Sequence, residues 1–168
     1  MKKTDSKYQA EENLKQMFKK EKKLNLKWVD NNDNVDWDEL SNLYKIAPLG
    51  DKKPDDLKLA FSNSMYKHFV YKDNQLIGVG RALADGIDCS YICDVAIHPD
   101  FQGKGIGKDI VNKLTEQSKH HNKILLFASP GKEEFYSKLG YYKMNTAMAI
   151  FKNQEQALEL GLVSEMGV

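Results

Sequence analysis

The chain has 168 residues, 41% of them hydrophobic and 29% charged, with a formal net charge of +1. It is long enough for one soluble globular domain with a sizeable core, and the near-zero charge gives no electrostatic case for a nucleic-acid partner. Of its 25 basic residues only Arg81 is an arginine, which further weakens such a reading, because base readout and phosphate clamping favour the guanidinium fork.

Residues 1–23 hold eight lysines against four acids, and Ala10, Leu14, Met17 and Phe18 fall on one helical face, which predicts a basic N-terminal helical extension. Residues 24–29 read as a strand. Asp36 with Glu39 three positions on reads as a capping box before a helix. Pro54, followed by Asp55 and Asp56, opens a second helix where acids suit the macrodipole. The period then changes: "HFVYK", a turn at Asp73-Asn74 and "QLIGVGRALAD" predict an antiparallel hairpin.

"YICDVAIHP" follows as a third strand ending at Pro99, then a glycine run and a helix over 105–119 with Ile106, Ile110, Val111 and Leu114 on one face. "KILLFAS" has the continuous apolar character of a buried strand. "GKEEFYSKLG" predicts a short helix closed by Gly140, and "YYKMNTAMAIF" a last strand. Residues 153–168, with three glutamates, read as an acidic tail or short helix.

Cys89 and Cys93 lie four residues apart in a strand, hence about 13 Å apart and beyond the roughly 7 Å that a disulfide spans. They read as reduced, partly buried thiols, and the spacing makes a poor metal clamp, so no metal is expected. No apolar run reaches about 18 residues and the N-terminus lacks a signal-peptide stretch, which points to the cytoplasm and to no membrane partner.

The element order predicts an α/β domain of the α+β type. Its mixed, mostly antiparallel sheet contains a central parallel βαβ unit, with helices on both faces. The expected boundaries are the extension at 1–23, the domain at 24–152 and the tail at 153–168.

The stretch "HPDFQGKGIGKDIVNKL" places glycines at 103, 105 and 107 between a strand and a helix. Strand, glycine turn and helix start together make an anion site, with unpaired amides facing out and the helix dipole behind them. A Walker A loop fails at Gln102 and Asp109, and a dinucleotide fingerprint fails at Lys108 or Ile110.

"VAIHPDFQGKGIGKDIV" resembles the central signature of the GCN5-related N-acetyltransferases (GNAT), Gln/Arg-x-x-Gly-x-Gly/Ala, matched by Gln102, Gly105 and Gly107. "EEFYSKLGYYKMNTAMAIF" is similar to the family's later "FYxKLGF" segment, about 30 residues on. The resemblance covers residues 24–151 and implies a GNAT-like fold, acetyl-coenzyme A as co-substrate and a primary amine as acceptor. It further implies that the amides of Gly103, Lys104, Gly105, Ile106, Gly107 and Lys108 cradle the pyrophosphate, beside Gln102. Val95, Ala96 and Ile97 would line the pantetheine arm. Ser129 and Lys138 are further candidates for contact with coenzyme A.

Acetyl transfer needs the amine deprotonated, the carbonyl polarised and the thiolate protonated. By resemblance Tyr136 is the expected general acid at sulfur. Asp94, a carboxylate within a buried strand, is costly unless paired or functional and is the candidate base, with a salt bridge as the alternative role. Strand alternation places it on the face opposite Cys93, Val95 and Ile97. Asp85 is a second candidate for contacting a cationic substrate or simple turn chemistry. His98, His120 and His121 read as surface or structural, and Trp28, Trp37 and Tyr91 as packing. The leading expectation is an N-acetyltransferase of a small amine, with a homodimer as a compatible state. The alternatives are a non-catalytic acyl-CoA-binding module and an acetyltransferase of protein lysines or N-termini.

Overall fold

Two consecutive residues in the left-handed region, Asp73 (φ 49) and Asn74 (φ 67), set the register of the central hairpin. Both central residues at positive φ give the turn a twist that matches the flanking strands. In the computed structural model, which describes residues 25–165, this turn joins β2 (Tyr66–Lys72) to β3 (Gln75–Ala84). The extension read at 1–23 lies outside the described residues. The chain divides into two compact units, one ending at Ile124 and the other beginning at Leu125.

In the first unit β1 (Leu26–Val29) pairs antiparallel with β2, β2 with β3, and β3 with β4 (Cys89–Ile97). The sheet order is β1-β2-β3-β4-β5, with β5 (Lys123–Leu126) reached through α3 (Ile106–Ser118). A helical crossover between neighbouring strands makes them parallel, so the sheet is mixed and mostly antiparallel, as expected. Residues 124–126 are only half-buried and Phe127 is 60% exposed. The buried strand expected there is instead at the edge of the sheet, with a neighbour on one side only among the described residues.

Helices α1 (Trp37–Ile46) and α2 (Pro54–Ser62) supply one side of the core. Leu40, Leu43, Tyr44, Leu57 and Phe61 pack there with Phe69, Leu76, Val79 and Ala96 of the sheet. Asp36 caps α1 by accepting from the amides of Asp38 and Glu39, each at 3.0 Å. The reciprocal half of the capping box does not form: Glu39 Oε1 accepts from the Leu76 amide at 2.8 Å, tying α1 to β3. The other face of the sheet carries α3, whose Ile106, Ile110 and Leu114 press on Gly78 and Gly80 of β3.

Gly80 is needed for that approach. A Cβ there would stand 2.5 Å from Ile110 Cγ2 and 3.2 Å from Leu114 Cδ1. The first of these is a methyl on a branched, buried carbon with little room to turn. Gly80→Ala is therefore expected to destabilise the fold by about 1–3 kcal/mol, read as a lower urea midpoint at unchanged slope.

The β3–β4 turn is held by Asp85, whose Oδ1 accepts from the amides of Ile87, Asp88 and Cys89. These bonds draw its pKa down from 3.8 to about 2, so Asp85 serves turn chemistry. His121 completes the clamp, with Nε2 accepting from the Gly86 amide at 3.1 Å and Nδ1 donating to the Ser118 carbonyl at 2.9 Å. Both cysteines are free thiols.

In the second unit α4 (Glu133–Ser137) is followed by a turn closed at Gly140, which takes φ +91 while the Tyr141 amide donates to the Tyr136 carbonyl at 3.1 Å. A further helix, α5 (Gln154–Glu159), is capped by Asn153. The strand expected at 141–151 does not form: no residue there is in a ladder, and Tyr142, Met148 and Ile150 are 94%, 81% and 99% exposed. Apolar alternation suits a strand, yet only cross-strand pairing makes one.

Candidate active site

The β3–β4 ladder carries one irregularity. Val79 pairs with Ala96 and Arg81 with Cys93, so Gly80 stands opposite two residues, Asp94 and Val95. This is a β-bulge, and its first residue, Asp94, takes φ 54. The extra residue shifts the phase of the strand. Cys93, as the cross-strand partner of Arg81, shares a face with it, and Arg81 holds the Asp94 carboxylate. Asp94 and Cys93 therefore point to the same side, towards α1 and α2, and not to opposite sides as strict alternation predicts. Val95 and Ile97 face α3, opposite Asp94 as alternation predicts.

Asp94 is clasped by two cations. Arg81 Nε donates to Oδ2 at 2.7 Å and Lys52 Nζ to Oδ1 at 2.9 Å. Burial pushes the carboxyl upward, but the Lys52 hydrogen bond and the Arg81 charge prevail and hold it below the usual carboxylate range. Burial works against the Arg81 charge, yet Asp94 outweighs it and Arg81 is more firmly protonated than usual. Arg81 Nη1 also donates to Ser64 Oγ at 3.1 Å, and the guanidinium stands 5.8 Å over the Phe61 ring. The fully buried Tyr44 lies against this cluster. Burial and then the Asp94 charge raise the pKa of its hydroxyl. Burial also pushes Cys93 up to about 11 and Tyr91 up to about 12, so both stay neutral and Cys93 is no nucleophile at physiological pH.

Past the end of β4 a short 3-10 turn, Pro99–Phe101, leads into the glycine run. His98 starts it, with Nδ1 accepting from the Asp100 amide at 3.3 Å. Gln102 Nε2 donates to the Ile97 carbonyl at 3.1 Å, pinning the loop to the strand. Gly103 (φ +71) and Gly105 (φ +82) lie in the left-handed region, and Gly105 is the N-cap of α3. The flanking amides of Phe101, Gln102 and Asp109 have backbone partners, whereas those of residues 103–108 have none among the described residues. Six unpaired donors at the positive end of a 13-residue helix suit a diphosphate. Lys108 is exposed beside them, while Lys104 folds back to the Asp100 carbonyl at 2.7 Å and lies 4.7 Å over the Phe101 ring.

The remaining candidates belong to the second unit. Tyr136 is half-buried, which raises its phenol above the ordinary 10, and its ring meets Phe135 edge-on at 5.0 Å. Lys138 spends its charge on Glu134 at 2.8 Å, and Ser129 is exposed, its carbonyl accepting from the Lys132 amide. Sequence reasoning missed Lys52 and Tyr44. Arg81 carried a signal, as the sole arginine facing a strand with one acid. Among the described residues no group of three or more His, Cys, Asp or Glu is placed to hold a metal, and no helix is long and apolar enough to cross a membrane.

A bulged strand running into an amide cradle, within a mixed sheet covered on both faces, sets unpaired donors where the diphosphate of an extended ligand could be held. A family model described as an acetyltransferase (GNAT) domain matches residues 50–152, more than half of the chain, and the protein belongs to that family. The chain is 39% identical over 114 residues to the uncharacterized N-acetyltransferase ycf52 of Pyropia yezoensis, covering 61% of this chain and 66% of that protein. It is 35% identical over 150 residues to ycf52 of Porphyra purpurea, covering 79% and 83% respectively. Its fold is similar to that of a GNAT family acetyltransferase from Elizabethkingia anophelis solved with acetyl-CoA bound. That match has a TM-score of 0.56 and 17% identity, and covers 77% of this chain and 90% of the other. The enzyme class is thus acetyl-CoA-dependent N-acetyltransferase.

Proposed function

We propose that the protein acetylates a primary amine of a small molecule, by direct attack of the amine on the thioester. The observation that carries this reading is the pairing, within one unit, of a buried carboxylate at the β4 bulge with the unpaired amides 103–108 just beyond the strand. The amides and the dipole of α3 hold the diphosphate, and the backbone of Val95, Ala96 and Ile97 lines the pantetheine arm. Acetyl-CoA supplies the activated acetyl group.

Asp94 receives the proton of the acceptor amine, directly or through a water, and Tyr136 gives its phenolic proton to the departing sulfur. Support for Asp94 is its ionised, partly buried position at the bulge. Support for Tyr136 is the likeness of its segment to the family's, and a raised pKa that keeps the donor protonated at neutral pH.

Saturation with acetyl-CoA at 100-fold its Kd is expected to stabilise the fold by about 2.7 kcal/mol, hence to raise Tm by roughly 5–10 °C. An unchanged Tm removes the proposal. With binding established, release of free thiol in a screen of polyamines, arylalkylamines, aminoglycosides and amino acids identifies the acceptor.

A further inference from the structure

Around the Lys52 ammonium the fold has built a receptor for an alkylammonium ion. The Asp94 carboxylate lies 2.9 Å from Nζ and the face of the Tyr44 ring lies 4.9 Å from it. A carboxylate and an aromatic face are the two groups that recognise a desolvated ammonium. Tyr44 is itself fully buried, with Asp94 acting on its hydroxyl.

The two cations on Asp94 are not equally fixed. Arg81 stands in β3 with its side chain 13% exposed, held also by Ser64 and the Phe61 ring. Lys52 lies in the loop between α1 and α2 with its side chain 37% exposed. Its carbonyl is tied to Ser41 Oγ at 2.7 Å, so the backbone stays in place while the four-carbon stem is free to swing outward.

We infer that Lys52 is a resident stand-in for the acceptor, and that the acceptor is a primary alkylamine on an unbranched stem whose ammonium displaces Lys52 from Asp94 and Tyr44. This deepens the proposed function and rests on it for the word acceptor, whereas the ammonium site itself rests on the cluster alone. Displacement delivers the amine to the group proposed to take its proton. It also makes every acceptor compete with an intramolecular ligand, so Lys52 weakens amine binding. Arg81 stays and keeps Asp94 oriented.

The test uses the full chain and n-butylamine, which reproduces the lysine stem and ammonium. Calorimetric titration is expected to give at least tenfold tighter binding to Lys52→Ala than to the parent. The gain should be lost in the double variant with Asp94→Asn, and should be smaller for tert-butylamine, which carries the same charge on a branched carbon. Lys52→Gln serves as the second variant if alanine loosens the loop, with the same order expected. Equal binding by parent and variant, a gain that survives Asp94→Asn, or no preference for the unbranched amine overturns the inference.

Acetyl-CoA binding and thiol release are measured on the same preparations. If n-butylamine behaves as expected but acetyl-CoA is neither bound nor consumed, the ammonium site stands and the proposed function falls. If acetyl-CoA is consumed with other amines and Lys52 has no effect on n-butylamine, the function stands and this inference falls.

Discussion

Alanine at Asp94 is expected to cost about 3–5 kcal/mol of stability and to lower turnover by about 10²–10⁴-fold. The stability loss comes chiefly from Arg81. Lys52 can turn to water, but the Arg81 side chain is 13% exposed and would be left as an uncompensated buried charge. The backbone adds to the cost, since φ 54 is tolerated by Asp and Asn far better than by alanine. Asn at this position keeps the conformation and an acceptor oxygen while removing the charge, so it should lose less stability and nearly as much activity. Urea unfolding together with thiol release separates the two effects. Equal stability losses for Ala and Asn would show that the left-handed backbone and the retained acceptor oxygen add nothing to the cost.

The sign with pH follows from the depressed carboxyl. A group whose folded pKa lies below its unfolded value contributes stability above the unfolded value, near 4, and loses it as pH falls through the folded value. Acidification below about pH 4 should therefore erode the stability of the parent more steeply than that of Asp94→Asn. Identical acid limbs would contradict the assignment of Asp94 as a buried, ionised partner.

Tyr136→Phe is expected to reduce kcat by about 10²–10⁴-fold, the usual contribution of a positioned acid, with acetyl-CoA affinity unchanged. The substitution removes one oxygen from a half-buried ring whose edge contacts with Phe135 and Tyr141 need only its carbon frame. Folding should thus be preserved, which makes the kinetic readout clean. Because burial raises the phenol, the parent should keep its activity well into alkaline pH before the donor ionises. Unchanged kcat in the phenylalanine variant would take the acid role from Tyr136.

Features that rest on local chain chemistry were legible in the sequence. The Asp73-Asn74 turn, the Asp36 cap, Pro54 at a helix start and Gly140 at a helix end each follow from the dihedral or hydrogen-bonding habit of one residue. The glycine run was legible for the same reason, as a place where donors are left over. What escaped depends on partners distant in sequence. Glu39 looked like half of a capping box, and only the docking of α1 on β3 gives it the Leu76 amide instead. The bulge has no compositional mark, so Cys93 was expected on the side opposite Asp94 instead of beside it. Lys52 is one of many lysines, and Tyr44 one of several aromatics at core spacing. Segment 141–151 shows the opposite error, a strand-like pattern that finds no ladder.

The bulge also changes what one strand can present. A regular strand offers each chamber every second side chain, so neighbours in sequence serve opposite sides of a sheet. Here Cys93 and Asp94, adjacent in the chain, open into the same chamber, and everything after them has exchanged sides. β4 thus behaves as two short strands spliced out of phase. Before the splice Cys93 faces α1 and α2, whereas after it Val95 and Ile97 face α3 and Ala96 takes the α1 and α2 side. Deleting a single residue at the splice would bring the halves back into step, and would exchange the sides served by every residue on one side of the join.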